Sequence, residues 1–310
     1  SSRRTSAEPR VSSTTSSRWP VSPMPVLPQR GQEVTGTSRP VAATSTAYPQ
    51  AGQNAQVRID ANGGLLDTSG GDAIINVGIQ GTGALHKLGE GTLTFTTSQA
   101  YTGGTIVHAG QLIFSGDGGF ASPDTSLIVG RDDGDDGAVI IGSSANISTA
   151  GGVIAQGEGS KGTVEVVDGT WTNTTALTIG NAGEGTLSIS GNGRVVAPSV
   201  SVTAANASGK GLLEIDGMGV LEAGQVSAGV GQATLSFSNR GTLRLTGDQS
   251  DLFTGFKAQG VRFDTGGGVI DTQEHTATID ISLWGEGALI KRGSGTLVLT
   301  GANSHAGGTV

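Results

Sequence analysis

The sequence predicts an all-β chain wound as a right-handed parallel β-helix behind a disordered N-terminal arm. Three observations carry that expectation. Residues 261–310 repeat residues 57–106 at a gap-free offset of 204, with 22 identities in 50 aligned positions, mostly glycines, turn aspartates and strand threonines and leucines. Between the copies, the pentads GAVII at 137–141, GTVEV at 162–166, GTLSI at 185–189, GLLEI at 211–215 and ATLSF at 233–237 recur every 22 to 26 residues. Periods of that length mark an array whose units stack side by side. The composition agrees: glycine supplies 54 of 310 residues, charged residues only 14%, and there is no sustained helical spacing of apolar residues. Such a chain favours short strands joined by tight turns.

Residues 1–56 are a different material, rich in Ser, Pro and Arg. The first fifty hold seven of the nine prolines and two of the 54 glycines, a composition that cannot build a packed core. Arg3, Arg4, Arg10, Arg18, Arg30 and Arg39 against Glu8 and Glu33 give this arm a net +4, leaving −12 on the rest of the chain. Scattered arginines without interleaved aromatics read as a solvated tail, and the acidic remainder argues against nucleic acid and against anionic lipid. No apolar stretch with a small-residue cleavage site reads as a signal peptide, and no run of about eighteen apolar residues reads as a membrane span.

From residue 57 onward three segments follow: coils at 57–112, a middle array at 113–260 and the second copy at 261–310. In each pentad the third and fifth residues are apolar (Val139 and Ile141, Val164 and Val166, Leu187 and Ile189, Leu213 and Ile215, Leu235 and Phe237), and alternation by two sends them to one face. Glu165, Ser188, Glu214 and Ser236 then face water. A Gly or Asn turn and a second strand follow, as in GNGRVVA at 191–197, and a third in some coils, as in LTIG at 177–180. Three strands per coil make a three-sided prism of roughly eleven coils, about 50 Å long at strand-pairing separation. The few aromatics imply a core of small and β-branched side chains. A β-sandwich also suits frequent turns, but the coil-length repeat disfavours it.

The runs GTGALHKLGEGTLTF at 81–95 with YTGGTIVHAGQL at 101–112, and GEGALIKRGSGTLVLTGANSHAGGTV at 285–310, closely resemble the passenger-associated transport repeat of bacterial autotransporters. The second copy departs from that pattern at His305 and Ala306, where Tyr101 and Thr102 stand in the first, and weaker local packing is expected there. Lys87 and Lys291 occupy equivalent positions and are expected to be solvated at turns. Gly103, Gly104, Gly307 and Gly308 are expected to supply positive φ or close approach. The resemblance implies export across both membranes of a Gram-negative cell, with a C-terminal translocator β-barrel, outside this chain, as partner. It places the passenger at the cell surface or outside the cell. The repeat breaks off at Val310 where VHAGQL follows in the first copy, so a fragment is expected. The absence of cysteine suits a chain threaded unfolded through a pore.

Residues for catalysis do not assemble in the sequence. His86, His108, His275 and His305 lie in no ligand or nucleophile motif, and Gly116, Asp117 and Gly118 only graze the G-D-S signature of passenger hydrolases. Each histidine reads as a surface residue. One acidic turn stands out: Asp132, Asp133, Asp135 and Asp136 before the GAVII strand are candidate calcium ligands, and no other cofactor is expected. The functional expectation is a non-enzymatic stalk serving adhesion to a host surface or to neighbouring bacterial cells. The alternatives are a stalk carrying an enzyme or toxin module elsewhere in the passenger, or a β-helical polysaccharide-degrading enzyme.

Overall fold

The computed structural model describes residues 57–203 and 206–310, with the backbone of two short strands at Val34–Thr35 and Val41–Ala42. The expected disordered arm otherwise lies outside the described residues. Within them every regular element is a strand, and the strands stack in parallel as a β-solenoid of about 10 turns.

Each coil has three sides. The first side carries Val34–Thr35 against Val57–Ile59 and runs through Ile79–Gly81, Ser98–Tyr101 and Gly119–Ser122 to Leu289–Arg292. The second carries Val41–Ala42 against Gly64–Asp67 and continues through Leu85–Leu88 and Thr105–Val107 to Phe253–Thr254. The third is a nine-stranded ladder from Ala73–Ile75 to Val261–Phe263. Parallel pairing needs a crossover between partners, and here the other two sides of the coil supply it.

The five pentads stack in register on the third side, with Gly137, Gly162, Gly185, Gly211 and Ala233 paired in succession. All ten predicted inward residues, Val139 to Phe237, are fully buried. Glu165 is exposed, and Ser188 and Glu214 are partly so, as alternation requires. Ser236 is the correction: it is buried because its hydroxyl donates to Asp264 Oδ2 at 2.6 Å, and that carboxylate reaches over it from the next coil. Coil length also varies more than the pentads suggest. Pairing of Ala73 with Leu93 and of Leu93 with Leu112 makes the first-copy coils shorter than those around Val139 and Val164.

The core is less uniformly aliphatic than the composition implies. All seven phenylalanines are buried, and they gather in stacks. Phe95, Phe114, Phe120 and Tyr101 form a run of rings with centroids 5.5–5.6 Å apart, and Phe237 lies on Phe263 at 4.9 Å. Parallel stacking repeats each inward position about every 4.8 Å, so aromatic rings at the same position of successive coils meet in offset contact. Trp171 fills the middle of the prism. Its indole Nε1 donates to Thr149 Oγ1 at 3.0 Å, and that hydroxyl lies 3.0 Å from Asn173 Oδ1, so the buried polar atoms are paired.

On the outside of the first side, charges alternate up the stack. Arg194 and Arg244 both grip Glu222, at 3.0 Å through Nε and Nη1 respectively, and Arg244 Nε reaches Asp271 Oδ2 at 3.1 Å. Burial opposes ionisation of Glu222 and Asp271, but the arginines and, for Asp271, the backbone of Gln273 hold both carboxyls below their ordinary values. Groups depressed in the folded state contribute stability above the unfolded carboxylate range and lose it as pH falls through their lowered values. Glu222→Gln is therefore expected to cost about 1 kcal/mol at pH 7, since both arginines are substantially solvated, and to flatten the acid limb of the stability profile. Urea unfolding of both proteins at pH 3 to 7 checks it.

The two sequence copies do not sit on the same sides. Val57–Ile59 lies on the first side, whereas its equivalent Val261–Phe263 lies on the third; Gly64–Asp67 lies on the second, and its equivalent Gly268–Asp271 on the first. The second copy is therefore displaced from the first by eight coils and two sides of a ninth. A coil with three interchangeable strand positions permits this, because the repeated unit needs only a neighbouring rung.

Candidate functional site

The two copies repeat one set of bonds between adjacent rungs. Thr68 Oγ1 donates to Leu88 O at 3.2 Å, and Thr272 Oγ1 donates to Arg292 O at 3.0 Å. Gln99 Oε1 accepts from Ile79 N at 2.8 Å, and Asn303 Oδ1 accepts from Leu283 N at 3.0 Å. Asp67 Oδ1 caps Ser69 N, and Asp271 Oδ1 caps Gln273 N. The threonines reach one coil onward, and Gln99 and Asn303 one coil back, to backbone groups at the corners of the strand ladder.

Lys87 corrects the expectation of a solvated side chain. It is fully buried, and its ammonium donates to the carbonyls of Leu88 at 3.2 Å and of Gly89 and Ala109 at 2.7 Å. An ammonium has three protons and each finds an acceptor, so burial is tolerated. Lys291 repeats the bond to its own Gly293 O at 2.6 Å. Burial pushes the Lys87 ammonium down to about 8, against the opposing pull of Glu90, Asp67 and Asp72.

The glycine pairs behave as expected. Gly104 and Gly308 have φ of 85° and 73°, in the left-handed region, while a Cβ on Gly103 would lie 2.1 Å from Gly83 C and one on Gly307 2.4 Å from Gly287 C. The tyrosine-to-histidine difference keeps its bond: Tyr101 Oη lies 2.6 Å from Thr105 Oγ1, and His305 Nε2 lies 3.1 Å from Thr309 Oγ1. Packing does differ, as expected. Tyr101 is fully buried against Phe120, whereas His305 is partly exposed with its ring 6.0 Å from Phe263.

The acidic turn divides. Asp135 Oδ2 accepts from Arg131 N at 3.0 Å and Asp132 N at 2.9 Å and faces His108 Nδ1 at 2.9 Å. Asp132 is held bidentately by Arg131 and lies 3.6 Å from His108 Nδ1. Asp133 and Asp136 are exposed and stand outside this group. His108 in turn meets His86 Nδ1 through its Nε2 at 3.1 Å. Burial first, then His108 and Arg131, hold His86 below the ordinary imidazole value. Sequence reasoning left these histidines as separate surface residues. The coil period was the available signal, since His86 and His108 are one short coil apart.

Residues 85–114 and 289–310 match the passenger-associated transport repeat. Each of the two matched segments lies on successive rungs of the β-solenoid, so the repeat family is seated here on a parallel β-helical scaffold. Over 73 residues, 23% of the chain, it is 44% identical to the adhesin BmaC autotransporter of Brucella suis biovar 1 (strain 1330). That stretch spans 2% of the relative's length. No solved structure matches.

Proposed function

We propose that this chain is a surface-displayed stalk whose role is adhesive and not catalytic, and that its two transport repeats aid export by folding vectorially outside the cell. The repeated rung-to-rung bonding is the observation that carries the second part. Within each repeat a new coil docks Thr and Gln or Asn side chains onto the preceding or following rung and buries its inward Leu, Val or Phe. Growth onto a folded end thus releases free energy step by step without ATP. The partner for this step is the passenger's own translocator β-barrel. The named adhesin relative, the polar outer faces and the regular ladder support a contact role toward a host surface or neighbouring cells.

Deleting residues 81–107 from the full-length protein is expected to reduce its surface display, read by flow cytometry with an antibody against the middle coils. Unchanged display removes the export reading. Adhesion is tested separately, by comparing host-cell binding of bacteria expressing the full-length protein with that of a passenger deletion displayed at equal density. Equal binding removes the adhesive reading.

A further inference from the structure

We propose that His108, Asp132 and Asp135 form a binding site for a transition-metal ion of the zinc type, oriented by His86, and that this site is not a calcium site. Three successive coils bring the groups together: His86 lies on Leu85–Leu88, His108 just after its paired rung Thr105–Val107, and the aspartates in the turn before Asp136–Ile141. The candidate ligand atoms all lie within 4.8 Å of one another, with Asp135 Oδ2 2.9 Å and Asp132 Oδ2 3.6 Å from His108 Nδ1. Metal–ligand bonds of about 2.0–2.1 Å place neighbouring donors of a tetrahedral shell roughly 3.3 Å apart. The observed spacings bracket that value, so a small shift of the exposed Asp132 completes three corners and leaves the fourth to water.

The donor set decides the metal. Calcium takes six to eight oxygens, whereas an imidazole with two carboxylates suits zinc and its neighbours. Separation of Asp133 and Asp136 from the group removes the oxygens a calcium site needs.

His86 supplies the outer partner that metal-bound histidines require. Asp135 Oδ2 accepts two backbone N–H groups, so His108 Nδ1 carries the proton between them, and His108 Nε2 accepts from His86 Nδ1. When the ion arrives, the Nδ1 proton of His108 leaves to solvent and His86 passes its Nδ1 proton to His108 Nε2. His86 then takes a proton from solvent on its own Nε2, so no net proton is released. Arg131 opposes the site, because its guanidinium already occupies Asp132.

The test is isothermal titration of the full 310-residue chain, stripped with chelator, with zinc chloride and with calcium chloride. One equivalent of zinc is expected to bind, with no calcium heat at 1 mM. His108→Gln is expected to weaken zinc at least tenfold and His86→Phe severalfold, Asp133→Asn and Asp136→Asn to leave it unchanged, and Arg131→Gln to tighten it. Circular dichroism of each variant without metal establishes that it is folded. Cobalt(II) is expected to give the visible absorption of a tetrahedral site in the parent and not in His108→Gln. Absence of zinc binding, undiminished binding in folded His108→Gln, or calcium binding as tight as zinc overturns the proposal.

Discussion

Gly103→Ala is expected to destabilise the first transport repeat by about 3 kcal/mol or more. The added methyl would lie 2.1 Å from Gly83 C and 2.3 Å from Ala84 N, and both are main-chain atoms of the preceding coil. No rotamer change can move them, so relief requires opening the stack. In a solenoid, neighbours couple mainly to neighbours, so the damage should be local. Hydrogen exchange should therefore show lost protection across about residues 81–107 while the pentad strands from 161 to 238 keep theirs. Gly70→Ala is the control. Its Cβ would meet nothing within 4 Å, and its stability should match the parent. Uniform loss along the rod, or none in the first repeat, would refute the close-approach account.

The second large effect is expected at Lys87. Truncation to alanine removes a fully buried four-carbon stem and a donor shared by three carbonyls, of which Leu88 O and Gly89 O keep Thr68 while Ala109 O loses its side-chain donor altogether. Cavity and lost hydrogen bonds together are expected to cost roughly 3 kcal/mol. Lys87→Met keeps most of the volume and isolates the polar part. The pH dependence gives a separate signature. A lysine lowered to about 8 in the fold binds fewer protons than the unfolded chain between that value and 10.5. Stability of the parent should then rise with pH across that window, because the unfolded state holds the extra proton. In Lys87→Met the rise should be missing. Denaturant titrations of both proteins at pH 7, 8, 9 and 10 measure it.

Much of the architecture was legible before the structure. Strand alternation placed all ten pentad residues from Val139 to Phe237 inside, and the glycine turns marked the corners, because period two and positive φ are local properties of the chain. What escaped was everything that depends on which coil lies above which. Ser236 reads as solvent-facing until Asp264 is known to cover it. Lys87 reads as a surface residue because charge alone predicts exposure, and its three carbonyl partners include one 22 residues away. The His86, His108 and Asp135 line has the same cause. Unequal coil lengths hide the vertical register, so groups 22 and 27 residues apart meet without any linear motif.

The unequal seating of the two repeats governs what any molecule approaching the rod would meet. Viewed down the long axis, matching outward side chains of the two copies point along headings roughly a third of a revolution apart. A ligand approaching from one flank would meet the recurring signature once and not twice. Two related stretches of chain therefore give no bivalent display on a single flank, and any avidity would have to come from separate molecules side by side.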